Sequence, residues 1–126
     1  MSYARLIALS ALTFVTSIAH ALTIAPYSAA ALAAAQKAGE PVAVHFHAPW
    51  CSTCKLQDQA LKALQADPAL KVTVLQADYD AEGELKRQMK VRNQSTLIVF
   101  RGADERARSS GDTQPDRLKA LLKAAL

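Results

Sequence analysis

The chain has 126 residues, 51% hydrophobic and 21% charged, the size and balance of one compact domain with a single core. A balance of 15 Lys plus Arg against 11 Asp plus Glu leaves a net charge of +4. These charges are scattered and not interleaved with aromatics, which weighs against a nucleic-acid partner, and no repeat or Pro/Gly/Ser-rich linker follows the first thirty residues.

The N-terminal segment differs from the rest. Arg5 supplies a positive start, residues 6–18 form an uncharged and mostly apolar run, and Ala19-His20-Ala21 is a small-x-small cleavage pattern. A membrane anchor would need about 18 or more apolar residues, so the segment reads as a secretory signal peptide cleaved after Ala21. Loss of Arg5 takes the net charge from +4 to +3. The mature domain, residues 22–126, would be periplasmic or secreted, in a compartment where disulfides persist.

Along that domain, residues 28–37 are Ala-rich and read as a short helix ended by Gly39, and residues 42–47 carry the apolar, β-branched and aromatic side chains of a strand. From Cys51 to about Gln65, Leu56, Ala60, Leu61 and Leu64 recur at helical spacing, with Pro68 beyond the end. Val72, Val74 and Leu75 mark a second strand, residues 82–89 a helix, residues 97–100 a third strand and residues 106–109 a fourth. Leu118, Leu121, Leu122 and Ala125 share one face of a last helix, for which Thr113 and Asp116 resemble a capping box. Alternating strands and helices with a closing hairpin imply an α/β fold, a central mixed β-sheet flanked by helices.

The chemistry concentrates in HFHAPWCSTCK, residues 45–55, which holds both cysteines of the chain. Cys51 falls where a buried strand becomes a helix, so unpaired N–H groups and the positive helix end face its sulfur and favour thiolate. Cys54, one turn further in, is placed as the more buried partner that attacks a mixed disulfide on Cys51. The same spacing also makes half of a zinc site. His45 and His47 alternate along the strand, and with Cys51 and Cys54 they would give two nitrogens and two thiolates suited to zinc or copper. A third possibility is an interaction domain with a vestigial pair.

The segment VAVHFHAPWCSTCK resembles the strand, Trp and active-site helix of thioredoxins. VTVLQADYD is similar to that family's next strand with its Asp, here Asp80. VRNQSTLIVFRGADE resembles the loop and hairpin that follow, and Gly111 falls where the family keeps a glycine before its last helix. The resemblance covers about residues 40–126 and is strongest to bacterial periplasmic members, including the C-terminal domain of the membrane-bound disulfide reductase. It implies a thioredoxin-like fold and a thiol-disulfide oxidoreductase working in the reductive direction. Cys51 would be the exposed nucleophile, Cys54 the resolving cysteine and Trp50 a wall of the substrate groove. Partners would be protein disulfide or thiol clients and a membrane redox protein that recharges a monomer, with no dissociable cofactor.

Four positions depart from the family pattern. Ser52-Thr53 replaces Gly-Pro between the cysteines, and Gln76 replaces a lysine near the family's buried acid. That acid is His45 here, a residue able to relay a proton to or from Cys54, or else a core histidine bonded to backbone. Where the family reads Ile-Pro-Thr with a cis proline, this chain has Gln94-Ser95-Thr96, the substrate-binding loop by resemblance. A cis bond before a non-proline residue costs about 2.5 to 4 kcal/mol, so a trans loop of changed shape is expected. Lys86, Arg87, Lys90 and Arg92 read as a solvated face beside Glu82 and Glu84, and Asp78 and Asp80 lack a third metal ligand.

Overall fold

The apolar runs around residues 42–47, 72–77 and 97–100 become the three inner strands of a five-stranded mixed sheet, seen in a computed structural model that describes residues 21–126. The expected signal peptide falls on residues 1–21, of which 1–20 lie outside the described residues. In chain order the elements are β1 (Leu22–Pro26), α1 (Ala29–Lys37), β2 (Pro41–His47), α2 (Ser52–Leu64), β3 (Val72–Asp78), α3 (Gly83–Met89), β4 (Thr96–Arg101), β5 (Asp104–Ser110) and α4 (Pro115–Lys123). The sheet order is β1-β3-β2-β4-β5, with β3 parallel to β1 and β2, and with β4 antiparallel to β2 and β5.

Side-chain alternation on β2 divides the core. Val42, Val44 and Phe46 face one layer with Leu75, Ile98, Phe100, Leu32 of α1 and Leu85 of α3. Ala43 faces the other, with Val74, Val99, Leu61 and Leu64 of α2, and Leu118 and Leu122 of α4. Fully burying each such Leu, Val or Phe contributes about 1.5 to 3 kcal/mol. Period two then puts His45 and His47 on the same side of β2 as Ala43, toward α2.

Several expectations change. The strand β1 was not anticipated: it is a five-residue edge strand whose Leu22 is buried opposite Val72, and Pro26 at its end suits an edge. On α2 the buried stripe is Cys54, Gln57, Ala60, Leu61 and Leu64, whereas Leu56 is 52% exposed. A stripe that starts from Cys54 advances by threes and fours to 57, 61 and 64, leaving 56 on the flank. The Thr113 capping box does not form: Gln114 is the N-cap of α4, Pro115 opens the helix, and no side chain caps it. Proline at the first helical position supplies a preset φ and has no N–H to cap. Gly102 has φ +58, and a Cβ there would lie 3.2 Å from the Gly39 Cα and 3.3 Å from the Gln36 carbonyl oxygen, so the β4–β5 turn can press against the end of α1.

Candidate active site

The first turn of α2 is built around sulfur. Cys51 is its N-cap, in extended backbone with φ −89 and ψ 110, and its Sγ accepts the backbone N–H of Cys54 at 3.1 Å. That position is normally filled by a side-chain oxygen, and an anion there also meets the positive helix end. No acidic side chain stands in the first turn to oppose a thiolate. Both cysteines are free thiols, and Cys51 is not the exposed residue expected: it is 4% exposed, beneath the Ser95 loop, with Cys54 fully buried behind it.

Ser95 lies against both sulfurs. Its Oγ is 3.1 Å from Cys51 Sγ and 3.2 Å from Cys54 Sγ. Burial pushes the Cys51 thiol up, but hydrogen bonding to Cys54, to Ser95 and to the backbone N–H groups of Cys54 and Thr53 outweighs it, and the net pKa falls below the ordinary thiol value. For Cys54, burial followed by the hydrogen bond to Cys51 raises the pKa, and the pull of Ser95 does not reverse this. The two pKa values are thus driven apart, lowered at the outer sulfur and raised at the inner one.

Backbone bonds fix the Ser95 loop. The Ser95 N–H donates to the Phe46 carbonyl at 2.9 Å, its own carbonyl accepts the Gly111 N–H at 3.1 Å, and its φ is +64. Among the described residues no peptide bond is cis, as expected for a serine at this position. A non-glycine residue at such a φ persists only where its surroundings over-determine it.

His45 is fully buried and its Nε2 lies 2.8 Å from Gln57 Oε1. Gln57 Nε2 donates to the carbonyl oxygens of Ser95 and Asp112, both at 2.9 Å. Carbonyls only accept, so the amide nitrogen must face them and the His45 Nε2 must carry the hydrogen donated to Oε1. Its Nδ1 is then a bare lone pair with no partner, 3.9 Å from Asp58 Oδ1. Burial pushes the His45 pKa down against the opposing influence of Gln57 and Asp58. Neither ring nitrogen is hydrogen-bonded to a sulfur; the residue reaches the thiols only through Gln57 and the Ser95 backbone.

The other expected site residues are divided. Trp50 is 59% exposed and donates its indole N–H to Asp80 Oδ2 at 2.7 Å, leaving a broad ring face beside Cys51. Gln94 and Ser95 line a shallow depression of about 320 Å³ with Thr53, Asn93, Ser110 and Gly111. Thr96 turns away: its hydroxyl donates to the Asn93 carbonyl at 2.7 Å and meets Ser110 Oγ at 2.7 Å. The two-His, two-Cys metal set is not assembled. His47 Nε2 is 2.8 Å from Asp58 Oδ2, Asp58 Oδ1 accepts from Gln76 at 3.0 Å, and no group of three or more His, Cys, Asp or Glu side chains suited to a metal occurs among the described residues. Both histidines do share one face of β2, but that face meets Gln57 and Asp58 of α2.

Two residues of this site escaped the sequence, Gln57 and Asp58. Their one signal was that Gln57 and Asp58 follow Cys54 at i+3 and i+4, the spacing of a shared helix face.

A family model described as Thioredoxin matches residues 26–124. A thioredoxin of Chlamydia muridarum (strain MoPn / Nigg) is 38% identical over 81 residues, 64% of this chain and 78% of that protein. Thioredoxin X, a chloroplastic protein of Arabidopsis thaliana, is 32% identical over 92 residues, 71% of this chain but 50% of the relative, so the chain spans about half the length of that protein. The fold is similar to the crystal structure of Trxlp from Edwardsiella tarda EIB202, with a TM-score of 0.75 and 39% identity, covering 79% of this chain and 98% of that one.

Proposed function

The chain belongs to the thioredoxin family, and from that premise we propose that it is a thiol-disulfide oxidoreductase acting on protein disulfides outside the cytoplasm. The observation that carries the reading is the asymmetry of the dithiol: Cys51 Sγ caps α2 with its pKa lowered, while Cys54, buried behind it, has its pKa raised. In the forward direction the Cys51 thiolate attacks one sulfur of a client disulfide. A Cys51–client S–S bond forms, and the other client sulfur leaves as thiolate. Cys54 then gives up its proton and attacks Cys51 Sγ; the Cys51–Cys54 disulfide forms, and the second client sulfur departs and is protonated. The client gains two electrons and the dithiol loses two.

Trp50 and Gln94 would form the walls that meet the client beside Cys51, supported by the exposure of the indole and the depression next to Ser95. The dithiol must be recharged, and a membrane redox protein facing the same compartment fits an exported monomer. Export rests on Arg5, the apolar run 6–18 and the Ala19-His20-Ala21 pattern. Cell fractionation with mass analysis of the mature N-terminus tests it; a full-length cytoplasmic protein would refute export.

The activity is tested by insulin disulfide reduction with the single variants. Cys51→Ser should abolish turnover and Cys54→Ser should accumulate a mixed disulfide; normal turnover by either removes the proposal. Titration of the disulfide in glutathione buffers sets the direction. A midpoint near −270 mV, about the thioredoxin value, means a reductant, and one near −120 mV, about that of strong oxidants, means the reverse direction.

A further inference from the structure

We infer that the Ser95 hydroxyl is the proton carrier of the dithiol: it accepts the Cys54 thiol proton and gives its own to the client sulfur that leaves Cys51. The inference rests on the thiol-disulfide reading and assigns the step that reading leaves open, how a buried thiol loses its proton. Cys54 is fully buried and Ser95 4% exposed, so bulk water has little access to either. Cys54 Sγ is 3.2 Å from the Ser95 Oγ, whereas the His45 Nε2 is committed to Gln57 and its Nδ1 lies toward Asp58 and not a sulfur.

A hydroxyl has one hydrogen to give and lone pairs to receive. With both sulfurs in range, the Ser95 hydroxyl can donate to one and accept from the other. Cys51 Sγ accepts the Cys54 N–H and, in the reduced pair, the Cys54 S–H; in a mixed disulfide that sulfur is tied up, and the Ser95 Oγ at 3.2 Å is the acceptor left for the Cys54 S–H. The Ser95 hydroxyl is therefore the one side-chain group in hydrogen-bond range of both sulfurs, a bridge from Cys54 to whatever is bonded to Cys51. Once Cys51 is tied in a mixed disulfide its sulfur carries no charge, and the Ser95 hydrogen is released. The departing client sulfur is bonded to Cys51 Sγ, about 2 Å from an atom that Ser95 touches.

In the resolving step the Cys54 S–H bond breaks and its proton passes to Oγ, while the original hydroxyl proton passes to the client sulfur. The Cys51–Cys54 bond forms as the Cys51–client bond breaks. Ser95 ends as it began, a neutral hydroxyl. Its position suits the task because its N–H, its carbonyl and its φ of +64 are all fixed by neighbours on β2, α2 and the 111 turn.

The test is stopped-flow release of both thiolates from disulfides of differing leaving-group acidity, using wild type, Ser95→Gly and Ser95→Asn. Glycine and asparagine both tolerate the left-handed backbone at this position, and neither side chain can exchange a proton as a hydroxyl does. With an alkyl disulfide such as oxidised glutathione, whose leaving thiolate needs a proton, the second phase should slow by about 100-fold in both variants. With a nitrobenzoate disulfide, whose leaving thiolate needs no proton, only the uptake of the Cys54 proton is lost and the second phase should slow less. Equal slowing for both disulfides marks a structural role and overturns the relay, as does an unchanged second phase. If wild type itself releases only one thiolate per molecule, there is no resolving step, and the parent reading falls with the relay.

Discussion

Gln57 donates an amide hydrogen to the Ser95 carbonyl oxygen at 2.9 Å, so the helix that carries the thiols also holds the loop that faces them. The same amide holds the Asp112 carbonyl and the His45 ring, three elements meeting on one buried side chain.

Replacing it with an apolar side chain of similar size, Gln57→Leu, leaves the His45 N–H and the Asp112 carbonyl without this partner. An unmet buried polar group costs about 1 to 3 kcal/mol, so the variant should unfold at lower urea with a loss of about 2 to 4 kcal/mol. A change below about 0.5 kcal/mol, the scale of an ordinary surface substitution, would mean the network is not holding the loop.

Strand β2 was legible because it is buried on both faces and reads as an apolar run, and the dithiol because strand, Trp and helix bracket it. Strand β1 was not, since five residues at an edge offer too little pattern, and β5 was seen only in part because its mostly exposed side chains, Asp104, Glu105, Arg106 and Arg108 among them, give no apolar alternation. Gln57 was missed for a different reason. A glutamine among Lys55, Asp58 and Gln59 reads as surface, and only the register of the helix, set by Cys54, turns it inward and Leu56 outward. The histidine periodicity correctly put His45 and His47 on one face; what that face meets depends on α2, which no local pattern discloses.

The split between the thiols should be visible in alkylation. Hydrogen bonds to Cys51 outweigh its burial and lower its pKa, whereas burial raises that of Cys54. Mass mapping after brief iodoacetamide treatment at about pH 7 should find label on Cys51 alone, with a rate midpoint below the free-thiol value of about 8.5. Equal labelling of both residues would contradict the asymmetry.

Stability should fall in mild acid through His45. Burial lowers its pKa below the ordinary 6.5 in the folded chain. The unfolded chain therefore takes up a proton first, and the advantage of the neutral ring is complete above about pH 6.5 and lost as the pH falls through the folded value. Thermal midpoints measured from about pH 7.5 to 5 should drop less in His45→Gln, which still donates to Gln57 but has no site to titrate. Parallel curves for wild type and variant would show that His45 is not the source of the acid sensitivity.

Trp50 is the chain's one tryptophan, so its fluorescence reports directly on the rim of the site. The ring is 59% exposed, and the 2.7 Å bond from its indole N–H to Asp80 is the contact that orients it. Such an exposed bond adds little to stability but restricts the rotation of a large side chain. Asp80→Ala should leave the thermal midpoint unchanged, lower the fluorescence anisotropy and raise KM for protein disulfides more than it lowers kcat. That split follows because the indole would contact the client and not the reacting sulfurs. A variant with wild-type anisotropy would show that packing against the backbone, and not Asp80, sets the orientation of the ring.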